Sequence, residues 1–227
     1  MRIAEIFHSI QGEGTLVGVP SVFVRVSGCN LRCTWCDTPY TSWNPEGAEK
    51  SVAQIVAEVH EFPAKHVVIT GGEPLLFAPV VELSRALKGL GMHVTFETAG
   101  TVYQPVACDL MSISPKLGNS TPKERDGGRW AAKHDALRLQ PSILTRLMGE
   151  FDYQLKFVVS AAEDMNEIAT FVELTRADRD KVLLMPEGTT PEVTRERGLW
   201  IAEICKREGF RYSPRLHVDL WGDRRGV

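Results

Sequence analysis

A chain of 227 residues is long enough for one domain with a full hydrophobic core and short for two. Hydrophobic residues make up 43% and charged ones 24%, which excludes a disordered chain, and a net charge of -3 leaves no bulk attraction for nucleic acid. With no apolar run of about eighteen residues and no charged leader before an apolar stretch, a membrane class is not favoured and a cytoplasmic location is expected.

RIAEIF (2–7) reads as a first strand and PSVFVRVS (20–27) as a second, with Val22, Val24 and Val26 alternating against Phe23 and Arg25. Between them, HSIQGEGTLVG carries glycines that permit close backbone approach to a ligand, and Gln11 and Glu13 offer an amide and a carboxylate. An ordinary Gly-rich hairpin loop is the plain alternative. After CNLRCTWC (29–36) and a turn-rich DTPYTSWNPEGAEK, the segment SVAQIVAEVHEF predicts a helix capped by Ser51, with Val52, Ile55, Val56 and Val59 on one face.

HVVIT (66–70) is a short buried strand that runs into Gly71, Gly72, Glu73 and Pro74, followed by an amphipathic segment over 75–90. HVTFET (93–98) is a strand ending in AGT, and DLMSIS (109–114) is a strand ending in Pro115 and Lys116. Residues 117–134 carry no apolar period and several breakers, the pattern of a long functional or mobile loop. A helix near 141–148 leads to the strand YQLKFVVS (153–160), where Lys156 interrupts an apolar run. A helix over 163–175, the strand KVLLMP (181–186), a helix over 191–208 and a last strand near RLHVDL complete the chain.

Strands alternating with helices imply right-handed βαβ crossovers and a mostly parallel sheet. No G-x-G-x-x-G follows the first strand, and about six core strands fall short of a closed eight-stranded barrel. The pattern therefore predicts an α/β fold, a partial (incomplete) TIM-like β/α barrel with about six parallel core strands, as a single domain over 1–227. Ligand sites in such sheets lie at the C-terminal strand ends, which is where the cysteine loop, GGEP, TAG and SPK all fall.

Five cysteines are an odd number, and three are clustered, which reads as metal binding in a reducing compartment. Cys29, Cys33 and Cys36 leave one iron of a cubane cluster without a protein ligand, an open position for chemistry. Zinc would need a fourth ligand from Cys108, Cys205 or a distant histidine, and unrelated thiols are a third reading. Cys108 and Cys205 otherwise read as small buried apolar groups, and His8 as a strand-end residue.

The C-x-x-x-C-x-x-C spacing, Trp35 before the last cysteine and GGEP after the next buried strand resemble the radical S-adenosylmethionine (SAM) superfamily. Within it, EIFHSIQGEG and FVRVSGCNLRCTWCDT, together with TGGEP, ETAGT, SPK and QLKFVV, resemble the 7-carboxy-7-deazaguanine synthase family over most of the chain. The resemblance implies a lyase of queuosine and deazapurine biosynthesis that converts 6-carboxy-5,6,7,8-tetrahydropterin to 7-carboxy-7-deazaguanine with loss of ammonia. It also implies a [4Fe-4S] cluster, SAM and Mg²⁺ as cofactors, a flavodoxin-like electron donor, a homodimer, and no nucleic-acid or membrane partner.

By the same resemblance, Cys29, Cys33 and Cys36 ligate the cluster and Thr38 brings its hydroxyl to Mg²⁺, a turn hydroxyl being the alternative. Ile10, Gln11, Gly12, Glu13, Arg25 and Thr70 are the implied substrate contacts. Arg25, opposite Val24 and Val26, lies either inside the barrel, where it needs an anion, or in solvent. Trp35, Cys36, Asp37, Gly72, Glu73, Ser114, Pro115 and Lys116 are implied for SAM, with Glu73 alternatively a helix N-terminal carboxylate. Lys156 is either a ligand contact or a snorkelling lysine, and the tail HVDLWGDRRGV either approaches the substrate or is disordered. A radical-generating activase of a glycyl-radical enzyme shares the cysteine spacing, and a zinc-stabilised binding protein without catalysis is the competing class.

Overall fold

In the computed structural model, which describes residues 1–227, the chain opens with an antiparallel pair, β1 (Arg2–Ile10) and β2 (Pro20–Val26). β1 runs past its expected end at residue 7 and carries Ile10 to the mouth of the following loop. Beyond the cysteine loop come α1 (Pro39–Ser42), the edge strand β3 (Ala48–Glu49) paired to β1, and α2 (Val52–His60). At α2 the expected Ser51 cap is present as a capping box closed by Gln54. Strands and helices then alternate as β4 (His66–Gly71), α3 (Val80–Gly89), β5 (His93–Thr98), β6 (Leu110–Ile113), α4 (Ala131–Arg138), α5 (Pro141–Glu150), β7 (Tyr153–Val159), α6 (Asp164–Thr175), β8 (Val182–Pro186), α7 (Pro191–Glu208), β9 (Arg211–Tyr212) and α8 (Leu216–Trp221).

One sheet runs in the order β3-β1-β2-β4-β5-β6-β7-β8-β9, with every neighbouring pair from β2 to β9 parallel. β3 and β9 are its two edges, so the sheet stays open, as a partial barrel requires. The expected six parallel strands are β2 and β4 to β8, and the two-residue β9 extends them.

The period of two along each strand separates two environments. Val22, Val24 and Val26, Val67 and Ile69, Val94 and Phe96, Leu155 and Phe157 point under the helices into one continuous apolar core. Each such side chain contributes about 1.5–3 kcal/mol by leaving water. The alternate residues Arg25, Thr70, Glu97, Ser112 and Lys156 face a cavity on the other side. That parity puts Arg25 inside the barrel, not in solvent.

Two expectations are corrected. RLHVDL is not a strand: Arg215 precedes α8, a helix that buries Val218 and ends at Gly222 with φ +68°. Alternation over so few residues does not separate a strand from a helix turn. Residues 117–134 are not a plain loop but two 3-10 turns, Gly118–Ser120 and Arg125–Gly128, leading into α4. Only His134 of α4 is buried, so polar bonds hold this helix and no apolar period announces it.

Candidate active site

A cavity of about 550 Å³ opens at the C-terminal ends of the parallel strands, within the roughly 300–1,000 Å³ range of small-molecule sites. One end is lined by Cys29, Cys33 and Cys36, and the other by a network of buried charges.

The cysteine loop leaves β2 through Gly28, whose N–H donates to the Thr41 carbonyl at 2.8 Å and whose carbonyl accepts from Glu73 N–H at 2.9 Å. A Cβ at Gly72 would lie 2.1 Å from the Gly28 carbonyl oxygen and 2.9 Å from Cys29 Cβ, so only glycine lets the GGEP turn reach the loop this closely. Residues 117–134 clamp the loop from outside: Ser120 O accepts from Thr34 N–H at 2.8 Å, and His134 Nδ1 from Arg32 N–H at 3.1 Å. Trp43 adds an indole N–H to the Cys33 carbonyl at 3.0 Å.

Burial pushes the Cys29 thiol up to about 12 and the Cys33 thiol up as well. A metal replaces the proton on such sulfurs, and a set of three soft thiolates suits an iron-sulfur cluster. The donor set and its glycine-lined approach fit that group. Cys205 sits in the main core with its thiol on the Arg211 carbonyl, and Cys108 packs against the same core, so neither joins the three as a fourth zinc ligand.

Along the adjoining wall, Trp35, Cys36, Asp37, Gly72, Ser114 and Lys116 all face the cavity. Lys116 Nζ donates to Ser114 Oγ at 2.8 Å and lies 5.6 Å from the Trp35 ring centroid. Thr38 also lines the cavity; its Oγ1 accepts from Thr41 Oγ1 at 3.3 Å and does not cap α1.

Glu73 and Pro115 lie behind the lining. The Glu73 carboxylate, fully buried, accepts from Leu75 N–H at 3.1 Å, Thr98 Oγ1 at 2.7 Å and Ala99 N–H at 2.8 Å. Burial raises its pKa against these bonds. It therefore acts as an N-terminal carboxylate for the turn at 74–76 and also ties that turn to the end of β5.

At the opposite end, Glu13 accepts from Lys156 Nζ at 2.5 Å and from Arg215 Nε at 3.1 Å. Burial alone would raise the Glu13 carboxyl, but the Lys156 and Arg215 charges outweigh it and hold the group below the usual carboxylate range. Burial would likewise lower Lys156, and Glu13 and Glu97 outweigh it and raise it. Glu97 accepts from Gln11 Nε2 at 3.2 Å, Lys156 at 3.4 Å and Thr70 Oγ1 at 3.2 Å. Gln11, Glu13 and Thr70 thus belong to one network, and Lys156 is its central cation, not a snorkelling lysine.

Arg25 donates through Nε to Glu5 Oε1 at 2.6 Å, and its Nη groups have no protein partner. Glu5 also accepts from Tyr40 at 2.9 Å and from Arg225 at 2.9 Å, so the C-terminal tail folds over this side and Gly222 to Val227 line the cavity. Ile10 and Gly12 stand at the same end, and a Cβ at Gly12 would lie 2.1 Å from His217 Nδ1.

Sequence reasoning missed Glu97, Arg215 and His217. A charge at the inward parity of a buried strand, seen for Lys156, was the available signal for Glu97 within ETAGT. Arg215 was hidden by the strand reading of its segment. It joins the two ends of the cavity, holding Glu13 through Nε and Asp37 through Nη2 at 2.6 Å.

The family model of the radical SAM superfamily matches residues 23–116. The 7-carboxy-7-deazaguanine synthase of Halobacterium salinarum is 49% identical over 98% of this chain and 91% of its own length. That of Rhodopirellula baltica is 43% identical over 100% of this chain and 89% of its own. The crystal structure of QueE from Escherichia coli superposes with a TM-score of 0.69 at 26% identity, covering 95% of this chain and 94% of that one.

Proposed function

This chain belongs to the 7-carboxy-7-deazaguanine synthase family of radical SAM enzymes, and from that membership we infer how the work divides among the residues of its cavity. The reaction is the conversion of 6-carboxy-5,6,7,8-tetrahydropterin to 7-carboxy-7-deazaguanine, a radical ring contraction with loss of ammonia in the queuosine pathway. Cys29, Cys33 and Cys36 would hold a [4Fe-4S] cluster, which when bound would supply the electron for reductive cleavage of SAM.

Gly72 would give SAM access to backbone, Trp35, Cys36 and Asp37 would lie near its adenine, and Ser114 and Lys116 would run along its nucleoside side. Glu73 and Pro115 hold that wall in shape without touching the cofactor. Ile10, Gln11, Gly12 and Glu13 read the pterin edge, where a carboxylate kept ionised by Lys156 and Arg215 accepts hydrogen bonds from ring N–H and amino groups. Thr70 and Glu97 extend that surface. Arg25 takes the substrate carboxylate on its free Nη groups while Glu5 fixes its Nε. Thr38 offers a neutral oxygen to a Mg²⁺ that keeps part of its hydration. A homodimer, a flavodoxin-like donor and a cytoplasmic setting complete this reading.

The observation that carries it is the meeting, in one cavity, of three cysteines and the Gln11–Glu97–Lys156–Glu13 network. An activase of a glycyl-radical enzyme shares the first feature and has no use for the second. Anaerobic reconstitution followed by incubation with reductant, SAM, Mg²⁺ and the carboxypterin is expected to yield bound iron and 7-carboxy-7-deazaguanine. Stoichiometric zinc without iron, or SAM cleavage without a deazaguanine, contradicts it.

A further inference from the structure

Glu5 and Arg25 face one another across the β1–β2 pair, and the carboxylate meets the guanidinium at a single point, Nε to Oε1 at 2.6 Å. For this pair of groups that is an incomplete contact. A carboxylate beside an arginine ordinarily takes two parallel hydrogen bonds, one to each oxygen. A second bond would occupy one Nη of Arg25, and both Nη groups are instead without a protein partner where Arg25 lines the cavity. The reason lies at Glu5 Oε2, which is already taken.

Oε2 accepts from Arg225 Nε at 2.9 Å. Arg225 reaches this place because the chain turns back after α8 at Gly222, whose φ of +68° and ψ of -156° belong to a region that only glycine enters readily. Its guanidinium lies 3.9 Å from the Tyr40 ring centroid and donates through Nη1 to Glu46 Oε2 at 3.1 Å, so contacts from β1, α1 and the loop before β3 fix it. The Tyr40 hydroxyl donates to Glu5 Oε1 at 2.9 Å, and burial pushes its pKa up to about 12, so it remains a donor. Oε1 thus carries two donors, and Oε2 carries Arg225. Burial alone would raise the Glu5 carboxyl, but Arg225 foremost, with Arg25 and Tyr40, holds it below the usual carboxylate range. One ionised carboxylate is therefore shared between two guanidiniums.

We propose that Arg225 is a positioning residue for anion recognition: by holding Glu5 Oε2 it keeps Glu5 from taking a second bond to Arg25, and so leaves both Nη groups of Arg25 free for the carboxylate of a ligand. Without Arg225, Glu5 Oε2 turns to an Arg25 Nη and competes with that ligand. Arg225 acts only through Glu5. The proposal rests on the functional reading above for one point, that the ligand presents a carboxylate to Arg25.

The test is equilibrium binding to the reconstituted, unreduced holoenzyme with SAM and Mg²⁺, comparing 6-carboxytetrahydropterin with 6-methyltetrahydropterin, which lacks the carboxylate. Without reductant there is no turnover, and affinities are read directly. In Arg225→Met the carboxylated pterin is expected to bind about tenfold more weakly, the scale of one charge-assisted hydrogen bond, and the methyl pterin within about twofold of wild type. Arg225→Lys keeps a cationic donor for Oε2 and is expected to stay within about threefold of wild type for both ligands. Arg225 is half-exposed, so the urea midpoint is expected to change little. Equal weakening of both pterins, the result for a tail that only covers the cavity, overturns the proposal, as does unaltered binding of both or a Lys variant as weak as the Met one. A wild type that binds the two pterins equally overturns the reading of Arg25 and the proposal with it. A wild type that prefers the carboxylated pterin, with that preference intact in Arg225→Met, overturns the proposal alone.

Discussion

The same sheet carries buried polar groups at both ends of its strands, and the two ends differ in kind. At the N-terminal end, His66 is held between Ser21 Oγ at 2.5 Å and Thr95 Oγ1 at 2.9 Å, and packs with its ring tilted 57° against His93 at 4.6 Å between centroids. His66 and the two hydroxyls satisfy one another there, and none of the three residues lines the site cavity. At the C-terminal end, Lys156 and Arg215 are buried, Glu13 and Glu97 are partly so, and the four turn toward open volume. Burying charge is costly unless it is paired, and here the pairing is spread across β7, β5, the loop after β1 and the segment before α8. Polar residues in a strand mark function where they carry charge into a cavity, and mark packing where they close on each other.

The largest effect that separates the two ends is expected from Lys156→Met. With Lys156 only 3% exposed, its removal leaves Glu97 without a cation and Glu13 with Arg215 alone, a loss of about 3 kcal/mol in denaturant unfolding, the low end for a broken buried pair. His66→Asn, at the other end, is expected to cost about 0.5–1.5 kcal/mol for each hydrogen bond not replaced, with product formation intact. Equal costs would erase the distinction between the ends.

Gly72→Ala comes next. Its Cβ must displace the Gly28 carbonyl or Cys29, and about 1–3 kcal/mol of stability is expected to be lost together with iron retained after reconstitution. Full iron loading in a stable variant would mean that the turn does not need its close approach to the cysteine loop.

Much of this division is legible from the residues. The alternation of Val22, Val24 and Val26 against Arg25 separated the two faces of β2 while leaving open whether Arg25 turns into the barrel or to solvent, and Ser51 announced α2. The cysteine spacing located one end of the cavity, and Lys156 stood out in its apolar strand with its role at the other end left open. What stayed hidden depended on contacts far apart in the chain. Arg215 has meaning only beside Glu13 and Asp37, and α4 is held by His134 bonding Ser120 and Arg32, which no local period reveals. Glu73 sits in a motif that invites a ligand role, yet its oxygens are taken by Leu75, Thr98 and Ala99.

The smallest effect concerns pH at the N-terminal end. Burial, with the His93 charge, pushes His66 down to about 4 from its ordinary 6.5. The unfolded chain takes up a proton that the folded one refuses, so this contribution is full above pH 6.5 and is lost as the pH falls through 4. Between pH 7 and pH 5 the urea midpoint of the wild type is expected to drop more than that of His66→Asn. Identical drops would show that His66 does not couple to folding.

The central claim is that the two ends of the cavity do separate work on SAM and on the pterin. In reconstituted, reduced Lys156→Met, 5′-deoxyadenosine formed without substrate is the direct measurement, set beside deazaguanine formed with it. The account predicts wild-type deoxyadenosine formation and a loss of about a hundredfold or more in deazaguanine, the scale of a misplaced substrate. A fall of both in the same proportion would contradict it.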